Sequence, residues 1–211
     1  MSNFYPKEFK EAISNLPSKE KDKLILRLLK KDLVLANRLL FELVNTDTVD
    51  QQRKIVQNRI KNQIQRATDT FYSPGYLNLD VRYMSGEINE HVSITKDKFG
   101  EAFLNLWMIV NVLKQNNKNI LASNYQKARK FCVAVIARAF KILILIDKLH
   151  DDYFMDFQQL LLEFGNQISE NKYLMDTAIK NGFDVNWLLN ADIPENIVAI
   201  HREIRAHGFL K

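Results

Sequence analysis

The sequence predicts an all-α protein: an irregular multi-helix bundle around a central buried helix at about residues 131–149, not a regular solenoid. Three observations carry this. From Phe131 to Leu149 almost every side chain is apolar, the exceptions being Arg138, Lys141, Asp147 and Lys148. The 211 residues contain only 6 Gly and 4 Pro, too few chain breakers for anything but long helices and short connections. No run alternates as a strand between hairpin turns, and the predicted helices vary too much in length for a fixed-period repeat.

Taken in order, Pro6 suits a first helical position, and Phe9, Ala12, Ile13 and Leu16 follow at helical spacing until Pro17. Ser18 can cap a second helix carrying Leu24, Ile25, Leu28 and Leu29. Asp32 can cap a third, with Val34, Ala36, Leu39, Leu40, Leu43 and Val44, so the two read as a helical hairpin. Thr48 and Gln51 form a capping-box pattern that opens a long helix to Phe71 or Tyr72. Its apolar line, Val49, Val56, Ile60, Ile64, Ala67 and Phe71, is narrow, which places it on the outside of the bundle. Ser73-Pro74-Gly75 ends it.

Residues 76–95 suggest one helix interrupted near Ser85-Gly86. Thr95 can cap the next, where Phe99, Phe103, Leu106, Val110 and Leu113 share a face widened by Trp107 and Met108. Gln115–Asn119 reads as a polar connector to the central helix, which starts near Ser123 or Asn124. There Lys127, Lys130, Ala134, Arg138, Lys141, Leu145 and Lys148 recur every three or four residues as one stripe; the rest of the circumference is apolar. Residues 153–168 form a further helix through Phe154, Phe157, Leu160, Leu161 and Phe164. Beyond Ser169 the elements shorten, with Gly182 ending one helix, Asp184 capping a turn, and Pro194 opening a last helix closed by Gly208. The organisation predicted is a main bundle over 1–170, with 171–211 as a short-helix acidic extension packed on it in the same domain.

The composition is that of a globular protein, 46% hydrophobic and 26% charged. No membrane span is expected. Arg138 and Lys141 interrupt the most apolar stretch, and a charge at a bilayer centre costs about 2.5–3.5 kcal/mol on insertion scales. The N-terminal MSNFYPKEFKEAI has no apolar core for a signal peptide. The single cysteine, Cys132, has no internal disulfide partner and an apolar neighbourhood that makes it an inert buried thiol. Both features predict a cytoplasmic protein. The net charge of +5 is uneven: residues 1–149 hold 25 Lys and Arg against 15 Asp and Glu, and residues 150–211 hold 5 against 10. That split predicts an acidic tail docked on a basic body.

Two constellations could carry metal chemistry. His150-Asp151, followed by Asp152, resembles the adjacent pair that can hold a divalent metal in all-α phosphohydrolases of the His-Asp type, with His91 and Asp156 as candidates to complete it. The plainer alternative is that Asp151 or Asp152 caps the helix that follows and His150 sits in the last turn of the central helix. Glu87, Glu90 and His91 share one helical face, and carboxylates three apart can hold Mg²⁺. This is similar to the Glu-x-x-Glu pair of all-α nucleotide pyrophosphohydrolases, whose second Glu-x-x-Asp helix has no counterpart here; Asp147, Asp151 and Asp152 are the nearest substitutes. Lys54, Arg59, Lys61 and Arg66 flank the stripe of the long helix and could track phosphates, with Tyr72, Tyr76 and Tyr83 close by for base stacking. No Gly-rich phosphate loop, zinc pattern or nucleophile elbow is present.

The leading expectation is therefore a non-enzymatic helical protein that works through contacts with an unknown protein partner, without a cofactor. A Mg²⁺-dependent nucleotide phosphohydrolase and a nucleic-acid-binding protein are the alternatives. Oligomeric state is open.

Overall fold

The computed structural model describes residues 5–211; Met1–Phe4, the start of the segment read as lacking a signal peptide, lie outside it. Among the described residues the chain forms α1 (Lys7–Ser14), α2 (Ser18–Leu29), α3 (Leu33–Leu43), α4 (Val49–Asp69), α5 (Pro74–Thr95), α6 (Lys98–Ala122), α7 (Tyr125–Asp147), a 3₁₀ turn (Asp151–Tyr153), α8 (Met155–Ser169), α9 (Lys172–Lys180), α10 (Asn186–Leu189) and α11 (Ile197–Ala206), with no strand. The protein is all-α. None of these helices is long and apolar enough to cross a membrane.

The expected caps form where short polar side chains meet free backbone N–H groups. Asp32 accepts from the Leu35 N–H at 3.0 Å. Thr48 and Gln51 make the reciprocal capping box that opens α4. Asn124 caps α7 and Asn171 caps α9. Asp97, not Thr95, caps α6, receiving the Gly100 N–H at 2.7 Å.

The chain divides into two units. The first comprises residues up to Thr46 together with Ser93–Thr95, the second Asp47–Val92 with Lys96–Lys211. The sequence reading took residues 171–211 as an extension within one domain; the division into two units falls after Thr46, and α9 to α11 belong to the second. In the first unit α2 and α3 pack as a helical hairpin.

In the second unit two helices share the centre. The predicted one, α7, buries Phe131, Cys132, Ile136, Ala139, Phe140, Ile142 and Leu143 and packs on α6, α9 and α11. The lysines of its stripe, Lys127, Lys130, Lys141 and Lys148, are exposed, while Arg138 is only partly so. Equally central is α6, which packs on α4, α7 and α8. Its buried Leu104, Leu106, Met108, Ile109, Val110, Val112 and Leu113 lie on nearly all sides, so it touches neighbours all round. In α4 only Val56, Ile60, Ile64 and Ala67 are buried, matching its narrow stripe.

Three local expectations are corrected. Gln115–Asn119 is not a connector but the last turns of α6. Its amides have partners on other helices: Asn116 Nδ2 donates to Thr68 Oγ1 at 2.8 Å, and Asn117 Nδ2 to the Gln167 carbonyl at 2.9 Å. Asn171 Nδ2 in turn donates to Asn117 Oδ1 at 2.9 Å. A polar run can stay helical when tertiary partners take up its side chains. α5 runs unbroken through Ser85-Gly86, with the Ser85 hydroxyl turned back to the Val81 carbonyl at 2.6 Å. α7 ends at Asp147, before Leu149, so His150 is outside it and instead accepts the Asp152 N–H at 3.4 Å in the 3₁₀ turn.

The C-terminal elements dock through rings. Phe140 meets Phe183 edge-on at 4.9 Å, Trp187 at 6.1 Å and His201 at 5.2 Å. At Gly165 on α8, an added Cβ would come within 2.8 Å of Leu189 Cδ2 and 3.1 Å of its backbone N, so glycine lets α10 approach that closely. Among the described residues no ion pair joins residues 171–211 to the remainder of the unit. Apolar burial, not charge, holds these elements in place.

Candidate functional site

The most organised polar cluster was not anticipated from the sequence. Arg53 of α4 donates through Nε to Asp97 Oδ2 at 2.6 Å and through Nη2 to Oδ1 at 2.9 Å. His91 Nε2 of α5 lies 3.1 Å from Asp97 Oδ2, and the Gly100 N–H of α6 donates to Oδ1. The guanidinium also stacks 4.8 Å over the Phe99 ring and pairs with Asp50 at 2.8 Å. Burial pushes the Asp97 carboxyl up, but the hydrogen bonds from His91, Arg53 and Gly100 and the guanidinium charge outweigh it and hold it at about 2. Each ligating position of Asp97 is taken by a donor of the protein, so the cluster ties three helices together and offers no open position. The separation of 44 residues between Arg53 and Asp97 hides the pair from local pattern reading.

The metal candidates are not gathered. His91 is buried against Asp97, while Glu90 on the same helix is exposed. Glu87 is half-buried; its Oε1 receives Gln63 Nε2 of α4, and its Oε2 is buried without a hydrogen-bond partner. His150, Asp151 and Asp152 are exposed, with His150 Nδ1 3.2 Å from Asp152 Oδ2. His150 and Asp151 do line a depression of about 380 Å³ with Asp147 and Asp192, floored by Ile146, Phe154 and Phe157. Among the described residues, however, no three His, Cys, Asp or Glu side chains are placed to share a metal ion. Asp156, proposed to complete a His-Asp site, is exposed on α8. Cys132 is buried, and that burial raises its thiol to about 12, leaving no thiolate for nucleophilic work.

The basic candidates form a surface. Lys54, Arg59, Lys61 and Arg66 are all exposed on α4, on the two flanks of the buried line of Val56, Ile60 and Ile64. Arg138, by contrast, is drawn inward on α7: its Nη1 donates to Asn105 Oδ1 at 3.2 Å, and burial lowers its pKa.

The first unit carries the least expected feature. No residue of α1, α2 or α3 is buried. Leu33, Leu43 and Val44 are 71%, 78% and 68% exposed, and Leu26, Val34 and Leu40 more than half. Between α1 and α2, Phe9, Ala12, Ile13, Leu16 and Leu24 line a groove of about 540 Å³ rimmed by Glu20, Lys23 and Arg27. Compared with known proteins, the chain matches no family model, no curated protein and no solved structure.

Proposed function

We propose that this is a non-enzymatic cytoplasmic protein that acts through protein contacts, that residues 5–46 are its docking element, and that a second copy of the chain is its first partner. The observation that carries this reading is the apolar surface of α1–α3. Twelve large apolar side chains are exposed within residues 5–46, against eleven in residues 47–211. Scattered apolar residues are ordinary on a protein surface, but such a concentration marks an interface.

Size supports the same reading. Helical units of about 40 residues rarely hold a fold without a disulfide, a metal or association. The sole cysteine lies elsewhere, on α7, and no described residues form a metal group. Association is the remaining route. Twelve half-exposed side chains of this size present on the order of 1,000 Å², above the roughly 800 Å² that each partner contributes to a standard interface. Symmetric pairing of identical chains is the commonest soluble assembly, and its interfaces are the more apolar ones.

Sedimentation equilibrium tests this directly. The expected mass is twice 24.7 kDa. The paired substitution Leu33→Glu and Leu40→Glu should return it to one chain while most of the helical circular dichroism, that of α4 to α11, remains. A wild-type protein that stays monomeric up to about 100 µM, where even weak pairs form, overturns the assignment.

A further inference from the structure

We propose that the outward face of α4, together with the tyrosines beyond its C-terminal end, binds single-stranded nucleic acid. Residues 51–68 contain five cations and no carboxylate. Arg53 is turned inward to Asp97; the other four, Lys54, Arg59, Lys61 and Arg66, are exposed and form no ion pair among the described residues. Lys54 and Lys61 are two turns apart on one line of the helix, and Arg59 and Arg66 two turns apart on a second line about 140° round it. The surface between these two lines carries the amides Asn58, Asn62 and Gln65. A solvated helix face ordinarily interleaves both signs of charge. This one presents cations and amide donors over about 18 Å, the complement of a phosphate backbone.

The tyrosines select the kind of nucleic acid. Tyr72, Tyr76 and Tyr83 are 80%, 60% and 74% exposed, and Tyr72 and Tyr76 meet edge to face at 5.2 Å. The Gln63–Glu87 hydrogen bond sets the register of α4 against α5. Since α5 follows α4 through a short turn, that register brings Tyr83 to the level of the last turn of α4, while Tyr72 and Tyr76 sit at the turn itself. Exposed rings next to a cationic track stack on unpaired bases, whose faces a duplex keeps covered. An acidic protein would answer the cations and leave the rings unused.

The test is fluorescence anisotropy with a labelled single-stranded oligo-dT, its duplex with oligo-dA, and heparin, across a salt series. Four phosphate contacts predict a slope of log K against log salt of about −3 for the single strand. The combined change of Lys54, Arg59, Lys61 and Arg66 to Gln should abolish that binding with the melting temperature unchanged, since all four side chains are exposed and unpaired. Tyr72→Ala, Tyr76→Ala and Tyr83→Ala should each weaken the single strand about fivefold or more and leave the duplex unaffected. No single-strand binding at low salt overturns the proposal, as does binding that survives the four Gln substitutions. Equal affinity for oligo-dT, duplex and heparin with silent tyrosines also overturns it, leaving a generic polyanion surface.

Discussion

Arg53 and Asp97 meet through two parallel hydrogen bonds, Nε to Oδ2 at 2.6 Å and Nη2 to Oδ1 at 2.9 Å, and so fasten α4 to the first turn of α6. The same carboxylate caps α6 and holds His91. One side chain thus serves a helix terminus, a guanidinium and an imidazole at once, and its loss would remove a hydrogen-bond acceptor from each.

This arrangement makes the second unit sensitive to acid. The Asp97 carboxyl is held at about 2, below the 3.8 of a free aspartate. Its contribution is therefore fully present above about pH 4 and is lost as pH falls towards 2, on the order of 2 kcal/mol. Denaturant melts at stepped pH should show that loss in the wild type. Asp97→Asn should lower stability by about 3 kcal/mol at neutral pH, because Arg53 loses its buried counter-charge and keeps only the exposed Asp50, and should flatten the pH 2–4 decline. An unchanged decline would place the acid-sensitive group elsewhere.

Gly100→Ala should disrupt the same cluster without touching any of its charged groups. A Cβ there would lie 2.0 Å from Asp97 Oδ2 and 2.8 Å from Arg53 Nε. Helix propensity alone favours alanine by about 1 kcal/mol. A net destabilisation of several kcal/mol in a denaturant melt is expected; a stabilised variant would mean that the Arg53–Asp97 pair can move aside at little cost.

Phe183→Ala should cost about 3–5 kcal/mol, since the ring is buried edge-on against Phe140 and also meets Trp187 at 5.5 Å. Raised salt should leave the docking of α9–α11 unchanged, because no ion pair among the described residues holds it. A salt-induced increase in protease cleavage between 171 and 211 would contradict apolar docking.

Glu87→Gln should be neutral or should raise stability by about 1 kcal/mol. The substitution removes a charge that is half-buried, and one of its oxygens, Oε2, has no hydrogen-bond partner. Addition of Mg²⁺ should leave the melting temperature of the wild type and the variant alike. A Mg²⁺-dependent rise seen only in the wild type would restore Glu87 as a ligand.

What was legible in the sequence is what local spacing encodes. The apolar lines of α4 and α7 and the caps at Asp32, Thr48 and Asn124 all depend on residues within a few turns of one another. The exposure of Lys54, Arg59, Lys61 and Arg66 follows from the same periodicity. The Asn-rich end of α6 misled because a run of Gln and Asn has the composition of a loop. Only Thr68, Gln167 and Asn171, brought close by packing, make it helical and half-buried.

By itself, then, the sequence determined the all-α class, the buried face of α4, the cationic stripe of α7 and the sites where most helices start. Those properties arise from hydrophobic periodicity and from side chains that bond their own backbone, both short-range effects. The tertiary structure alone decided that α6 shares the centre with α7, that Arg53 reaches Asp97, that the metal candidates stay apart, and that α1–α3 leave their apolar side chains in water. Each depends on which surfaces meet across tens of residues. Periodicity marks a helix face as apolar and does not name what will cover it.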